Sequence, residues 1–141
     1  MNKLPGTDRC HCLAVRRNAR YLTRLYDRHL AGAKVSISQF SILALIHERP
    51  GISIAELADA MVMERTTLVR ALKPLQSEEF VSAEPHGPRG ALSVSLSVAG
   101  TGKLKECGPF WQAAQQEHEH HLGQDKAISI RTSLNAAVRD G

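Results

Sequence analysis

The sequence predicts a mainly α-helical fold with one small β-hairpin. Three patterns support this class: two short helical segments around a tight turn at residues 52–75, an alternating hairpin-like segment directly after them, and helical patterns at both ends of the 141-residue chain. Two helices this short cannot bury both of their faces alone, so they must pack on each other and on a third helix. Followed by a hairpin, such a pair is a winged helix-turn-helix.

The central pair of helices carries the predicted contact surface. The first, at residues 54–61, has its apolar residues on one side. The second begins near Glu64, whose charge suits the positive end of a helix. Its apolar stripe consists of Leu68, Val69, Leu72 and Leu75. The remaining positions are basic or hydroxylated and include the first turns, where a recognition helix meets bases and phosphates: Arg65, Thr66, Thr67, Arg70 and Lys73.

The hairpin after this pair has a cation at its tip. Residues 80–84 form a β-like run, and residues 91–97 alternate apolar side chains with serines. Between them, residues 85–90 (PHGPRG) have the composition of a turn and contain Arg89. We therefore expect a wing whose tip presents Arg89 to the same partner as the recognition helix.

Charge placement, rather than bulk charge, favours DNA as that partner. The chain carries a net charge of +4, with eight cations and two anions in residues 1–34. Residues 53–97 hold only four cations against six anions, a net −2. So few cations imply few phosphate contacts, and useful affinity would need two reading units acting together. A purely structural core and a winged helix that binds protein instead of DNA remain as alternatives.

Composition narrows the other possibilities. Apolar residues make up 43% and charged residues 23% of the sequence, as in globular proteins. No apolar run reaches the length of a membrane span, and three cysteines without scaffold-like spacing fit a reducing cytoplasm. No catalytic triad, phosphate loop or paired carboxylates stand out, so we expect neither an enzyme nor a cofactor.

The ends of the chain predict a two-fold dimer. Residues 1–34 and 98–141 form helical patterns whose apolar faces have nothing left to pack on once residues 35–97 form the winged helix. The simplest partner is a second copy of the chain, which gives intertwined terminal helices. We expect the first helix to be capped by Thr7 or Asp8, the second to open near Ser38, and the last to be capped by Asp125. Gly108-Pro109 should kink or interrupt the fifth helix.

Four segments resemble the MarR family of transcriptional regulators in order and spacing: residues 35–40 (VSISQF), 54–58 (IAELA), 64–70 (ERTTLVR) and 94–100 (VSLSVAG). The resemblance implies a dimeric regulator, usually a repressor, that binds an inverted-repeat operator. By position, Arg65, Thr66, Thr67 and Arg70 would contact the major groove and Arg89 the minor groove. The family wing usually carries Asp-x-Arg, but residues 87–89 are Gly-Pro-Arg here, so the Asp that braces Arg89 is missing.

The resemblance also implies a small-molecule effector between the arms and the DNA-binding lobe. In this sequence an arginine and several aromatic or imidazole side chains fall in that region, which suits an aromatic carboxylate. The predicted residues are Arg17, Tyr21, Phe40, His47 and Trp111. Packing of the core is the alternative role for these side chains.

The cysteines suggest a second kind of signal. Cys10 and Cys12 flank His11 at the start of the first helix, where the imidazole, Arg9 and the helix end would each favour a thiolate. Family sensors of organic hydroperoxides use a cysteine near this point, and Cys107, from the same chain or from the other chain of the dimer, would be the resolving partner. Inert, half-buried thiols are the alternative. A further alternative is a metal-responsive regulator with ligands from Cys-x-Cys and from His118, His120 and His121, although the spacing matches no fixed zinc pattern.

Overall fold

The computed structural model describes Leu4, residues 6–87 and residues 90–139. The helices are α1 (His11–Leu30), α2 (Ile37–Glu48), α3 (Ile54–Met61), α4 (Arg65–Ser77), α5 (Val98–Leu122) and α6 (Gln124–Ala137). Short 3-10 turns, Thr7–Arg9 and Ala31–Ala33, flank α1. The strands are β1 (Ile52–Ser53), β2 (Val81–Pro85) and β3 (Leu92–Leu96). They form one antiparallel sheet in the order β1-β3-β2, with Val94 opposite both Ile52 and Ala83. The predicted winged helix-turn-helix is confirmed.

Residues 35–97, which we call the head, have a continuous apolar core. Helix α2 lies at its centre, because its apolar residues are distributed all round. Helices α3 and α4 and the sheet close over it. The buried members of this core are Ile42, Leu43, Ile46, Ile52, Leu57, Ala58, Leu68, Leu72, Leu75, Val81 and Val94.

A second, smaller apolar cluster joins the head to the terminal helices. It consists of Leu30, Ala33, Val35 and Cys107, with Phe40, Phe110 and Trp111 packed against it. The cluster fixes the end of α1 and the middle of α5 against the start of α2. The orientation of the head relative to those helices is therefore set by packing rather than by a flexible linker.

Side-chain caps define where most helices begin. The Ser36 and Ser53 hydroxyls each accept a hydrogen bond from the third helical N–H, and the side chains of Gln39 and Glu56 each accept one from the N–H of the cap residue. Helix α2 therefore opens before the predicted Ser38. Helix α1 is capped by Cys10, not by Thr7 or Asp8, since those two residues belong to the preceding 3-10 turn.

The fifth and sixth helices differ from expectation at two points. Helix α5 runs through Gly108-Pro109 without interruption. Proline removes one N–H, but this stretch is largely exposed, so water can satisfy the carbonyl that would have received it. Helix α6 begins after Gly123, whose φ of 88° favours glycine, so Asp125 lies inside the first turn instead of capping it.

The terminal helices, which we call the arms (α1, α5 and α6), leave much of their surface uncovered. No residue of α1 before Leu25 is buried, and on α6 only Ala127 is. Ile128, Ile130 and Leu134 are each about two-fifths exposed. Within the described residues no single helix is long and apolar enough to cross a bilayer, although His11–Ala33 and Ile37–Glu48 pass that test as a pair, with a 76° bend between them.

Candidate nucleic-acid interface

The turn between α3 and α4 fixes the direction of the second helix. Val62 ends α3 in the left-handed conformation, with φ of 53°, which is rare for a β-branched residue. The N–H of Met63 donates to the Ala58 carbonyl at 2.9 Å. The chain therefore changes direction within a few residues, and α4 begins at Arg65 with Glu64 as its N-cap. The Glu64 side chain makes no capping bond, which leaves the first N–H groups of α4 open to an external acceptor.

Helix α4 divides cleanly into a buried and an exposed face. Leu68, Leu72 and Leu75 are at most 2% exposed and anchor the helix in the head. All five residues predicted to contact DNA on this helix are exposed: Arg65, Thr66, Thr67, Arg70 and Lys73. Four of them lie within about 140° of the helix circumference, and Thr67 flanks that arc.

Val69 belongs to this exposed face, and assigning it to the apolar stripe was wrong. Its side chain is 42% exposed. At about 100° per residue it lies about 40° from Arg65 and about 100° from Leu68. The angular positions along the helix would have revealed this from the sequence. An exposed valine among cations suits apolar contact with a thymine methyl group.

The α4 cations are available to an external partner. Residues 65–77 contain three cations and no anion, a local charge of +3 inside a head that is negative as a whole. Within the described ranges, the ion pairs are Arg28–Glu117, His29–Glu117 and Lys103–Glu106, and none uses an α4 side chain. A cation without a protein partner keeps its hydrogen-bonding capacity for phosphates and base edges.

The wing is a regular hairpin. The N–H of His86 donates to the Ala91 carbonyl at 2.7 Å, and Gly87 and Gly90 both have a positive φ, which favours glycine. Pro88 and Arg89, which carry the predicted minor-groove contact, lie outside the described residues. That contact therefore stays a prediction.

The five predicted effector residues fall into separate places in one chain. Phe40 and Trp111 stack with ring centroids 6.0 Å apart beside the second apolar cluster. Tyr21 instead lies near His118 and His121, with ring centroids at 6.4 and 6.2 Å. Arg17 and His47 are exposed, on α1 and at the end of α2. The structure thus brings together only the pair that packs the core.

A cavity of about 350 Å³ lies elsewhere, between α1, α5 and α6. Its wall is mainly apolar, with a few polar side chains, and none of the five predicted residues lines it. Sequence reasoning missed it because its lining comes from three helices that are distant along the chain. No motif marks these positions.

The three cysteines have contrasting surroundings. Cys10 and Cys12 are exposed, and the Cys10 sulfur accepts the Leu13 N–H at 3.3 Å as the cap of α1. Cys107 is fully buried, and burial raises the pKa of its thiol. It packs near Leu30, at the opposite end of α1 from Cys10. This end lies about 30 Å away along the helix, so Cys10 and Cys107 of the same chain cannot form a disulfide.

The metal alternative has no preformed site in a single chain. Throughout the described part of the sequence, no three His, Cys, Asp or Glu side chains converge as a metal site would require. Of the predicted histidines, His118 lies beside Tyr21 and lines the cavity, while His120 is exposed.

Comparison with known proteins agrees with this geometry. The sequence model of the MarR family matches residues 35–86, while no curated protein sequence matches the chain. The DNA-bound transcriptional repressor CouR is 18% identical, with 99% of both chains covered and a TM-score of 0.85. The same repressor has also been solved with p-coumaroyl-CoA.

Two further neighbours are also solved with DNA. MosR of M. tuberculosis is 28% identical, covering 92% of this chain and 99% of its own, with a TM-score of 0.75. A mutant of E. coli MarR, complexed with operator DNA, is 21% identical, covering 89% and 91%, with a TM-score of 0.80. These neighbours are regulators rather than enzymes. Residues 35–86 therefore match the MarR family in sequence, and the whole chain has the winged helix-turn-helix fold of the solved MarR-family structures.

Proposed function

We propose that the protein is a dimeric transcriptional regulator, acting as a repressor in the cytoplasm, that binds an inverted-repeat DNA operator. One observation carries the proposal: α4 presents hydroxyls and cations without an ion-pair partner among the described residues on one face, while three leucines hold its other face in the head. This is how a recognition helix must be built to enter a major groove without losing its own support. CouR, MosR and MarR, which share the fold, have all been solved with DNA.

The uncovered arms support the dimer. Val15, Tyr21, Ile128, Leu134 and Val138 are between 38% and 57% exposed in one chain, which is an unusual amount of apolar surface for terminal helices. A second copy would cover it, and two-fold symmetry would place two α4 helices about one DNA turn, roughly 34 Å, apart. Two heads together would also offset the small number of cations in each.

Electrophoretic mobility of DNA from the region upstream of the protein's own gene tests this function. Replacing Arg65 or Arg70 with alanine should weaken specific binding by about tenfold to hundredfold, because each removes a contact with a base or phosphate. Arg20→Ala is the matched control, since Arg20 is also exposed but lies on α1. The Arg20→Ala variant should bind the DNA with the affinity of the native protein.

Three results would contradict the proposal. Native protein that fails to shift any upstream DNA at moderate salt would favour a winged helix that binds protein. Sedimentation as a monomer at micromolar concentration would remove the dimer, and with it the inverted repeat. Footprinting of a single unsymmetrical half-site would do the same.

Thiol oxidation is a candidate route for release from DNA, and exposure favours Cys10 and Cys12 over Cys107. The Cys10 sulfur accepts a hydrogen bond from the Leu13 N–H, which holds it at the exposed start of α1. Iodoacetamide should label Cys10 and Cys12 in the folded protein and Cys107 only after unfolding. Peroxide should lower operator affinity in the native protein but not in Cys10→Ser/Cys12→Ser. An affinity unaffected by peroxide in both proteins would leave these cysteines without a sensing role.

A further inference from the structure

Two polar contacts join the head to the arms at backbone groups of the second apolar cluster. Lys103 contacts the carbonyl of Ala33, and Asp27 contacts the N–H of Ile37. The hydrophobic effect that holds this cluster together is non-directional. Hydrogen bonds depend on angle as well as on distance. These two contacts are therefore suited to fix the orientation of the head relative to the arms.

Lys103, on α5, bridges the end of α1 and the head. Its ammonium donates to the Ala33 carbonyl at 3.1 Å and pairs with the Glu106 carboxylate at 2.9 Å. It also lies 5.8 Å from the centroid of the Phe80 ring, which belongs to the head, and this distance is within the range of a cation–π contact. The side chain is only 19% exposed. The protein itself thus occupies this cation, in contrast to those of α4.

Asp27, on α1, makes the second contact. Its Oδ1 atom accepts a hydrogen bond at 2.7 Å from the N–H of Ile37, the first residue of α2. The N–H groups at the start of a helix have no partner within the helix, and a negative charge suits that positive end. A side chain of the arms thereby completes the start of the central helix of the head.

The position of these contacts relative to α4 gives them leverage on DNA recognition. Phe80 follows the last turn of α4, whereas the predicted DNA contacts begin at Arg65, at the other end of that helix. The two ends of α4 are about 18 Å apart. A tilt of the head by about 10° about the anchored end would move the first turn by roughly 3 Å, which is close to the rise of one base pair, about 3.4 Å.

We propose that Lys103 and Asp27 are positioning residues that determine which spacing of operator half-sites the dimer binds. They act through the angle between head and arms and not through contact with DNA. The inference rests on the proposed function, because half-site spacing matters only when two heads bind one inverted repeat. It adds a source of specificity that is separate from the DNA contacts of α4.

Mobility shifts on a graded set of inverted repeats test this role. Footprinting of the native protein on its upstream DNA defines the half-sites, and one or two base pairs are then inserted between them or removed. Native protein should bind the altered repeats about tenfold to hundredfold more weakly, because a rigid dimer cannot engage both half-sites at once. In Lys103→Met and in Asp27→Ala this penalty should fall at least about threefold, since a head that can tilt reaches more than one spacing.

The variants separate positioning from a general effect of charge. Lys103→Met and Asp27→Ala change the net charge in opposite directions, so a general electrostatic effect would move their affinities apart. Lys105→Met removes a charge from α5 at an exposed side chain outside the described ion pairs, and it should keep the native spacing preference. Lys103→Arg retains a cation with several donors and should restore most of that preference.

Binding to DNA with a single half-site separates positioning from loss of fold. Every variant should bind this DNA as the native protein does, because the head itself is unchanged. Asp27→Ala leaves Lys103 in place, so it tests the inference even if Lys103→Met does not fold.

Three outcomes would overturn the inference alone. An unchanged spacing preference in both Lys103→Met and Asp27→Ala would show that the two contacts do not set the angle. An equal loss of affinity at every spacing would reduce their role to stability. Native protein that binds all spacings alike would refute the inference and leave the proposed regulator intact. Native protein without any DNA affinity would instead refute both.

Discussion

The head and the arms of this protein differ in how much of their apolar surface a single chain buries. The head closes its core within one chain: eleven apolar residues from three helices and the sheet are buried together. The arms contain helices that are longer on average, yet α6 buries only Ala127 and α1 buries only Leu25 and Leu30. Helices in the head meet neighbours on several sides, whereas α1 and α6 of the arms leave most of their surface uncovered.

The difference shows which part of the fold depends on a partner. Hydrophobic stabilisation scales with the apolar area removed from water, so the head should hold its structure in a single chain. The arms should gain much of their stability from association, and that part depends on protein concentration. Substitutions in the head, in the arms and at their junction should therefore differ in size and in concentration dependence.

The largest effect is expected from deleting a side chain in the head. Leu68→Ala removes a fully buried leucine from α4, and should lower the free energy of unfolding by about 2–5 kcal/mol. Leu134→Ala on α6 is the matched change, at a side chain that is 40% exposed. It should cost little at low protein concentration and should instead weaken dimerisation. Urea unfolding at two protein concentrations measures both. Equal losses from the two variants, independent of concentration, would contradict the contrast.

An intermediate effect is expected where the head meets the arms. A Cβ at Gly100, in the first turn of α5, would lie 2.1 Å from the Phe80 carbonyl oxygen. Gly100→Ala should therefore destabilise the protein by about 1–3 kcal/mol, because backbone must move. Gly102, in the next turn of α5, has open space around it, and Gly102→Ala should stabilise by about 0.4–1 kcal/mol.

Thermal unfolding of these two variants measures whether each substitution raises or lowers the stability of the protein. Opposite shifts of the melting temperature are expected from the same chemical change made at neighbouring positions of one helix. A stabilised Gly100→Ala variant would show that the start of α5 does not pack tightly against Phe80.

The smallest effect concerns pH and the arms. Hydrogen bonds from Arg28, and then from His29, hold the pKa of the Glu117 carboxyl below its ordinary value. A group whose pKa is lower in the folded state stabilises the fold above its unfolded pKa, near about 4.3, and this contribution is lost as pH falls through the folded value. Because Glu117 is exposed, the effect should be small.

Acid titration of stability measures this contribution. Between about pH 5 and pH 3, native protein should lose stability more steeply than Glu117→Gln. Glu84→Gln, which changes an exposed carboxyl in the wing outside the described ion pairs, should follow the native curve. A Glu117→Gln curve identical to that of the native protein would show that the contact between α1 and α5 has no electrostatic part.

Local patterns in the sequence were enough to determine the head. Ser53, with Glu56 three residues later, marks the start of α3, and the spacing of Leu68, Leu72 and Leu75 gives the buried face of α4. Alternation at residues 91–97 gives the wing strand that pairs with Ile52–Ser53. These signals are local because caps, helical spacing and strand alternation each act within a few residues.

Only the tertiary structure decided the remaining features. The left-handed Val62 contradicts its own propensity, and backbone hydrogen bonds from Val62 to Asp59 and from Met63 to Ala58 hold it there. Cys10 rather than Thr7 or Asp8 caps α1, because a 3-10 turn forms first. The cavity joins Leu22, His118 and Arg131 from three helices. Tyr21 lies beside His118, whereas Phe40 stacks on Trp111. Contacts between residues so far apart in sequence depend on how helices pack, and no local pattern encodes that.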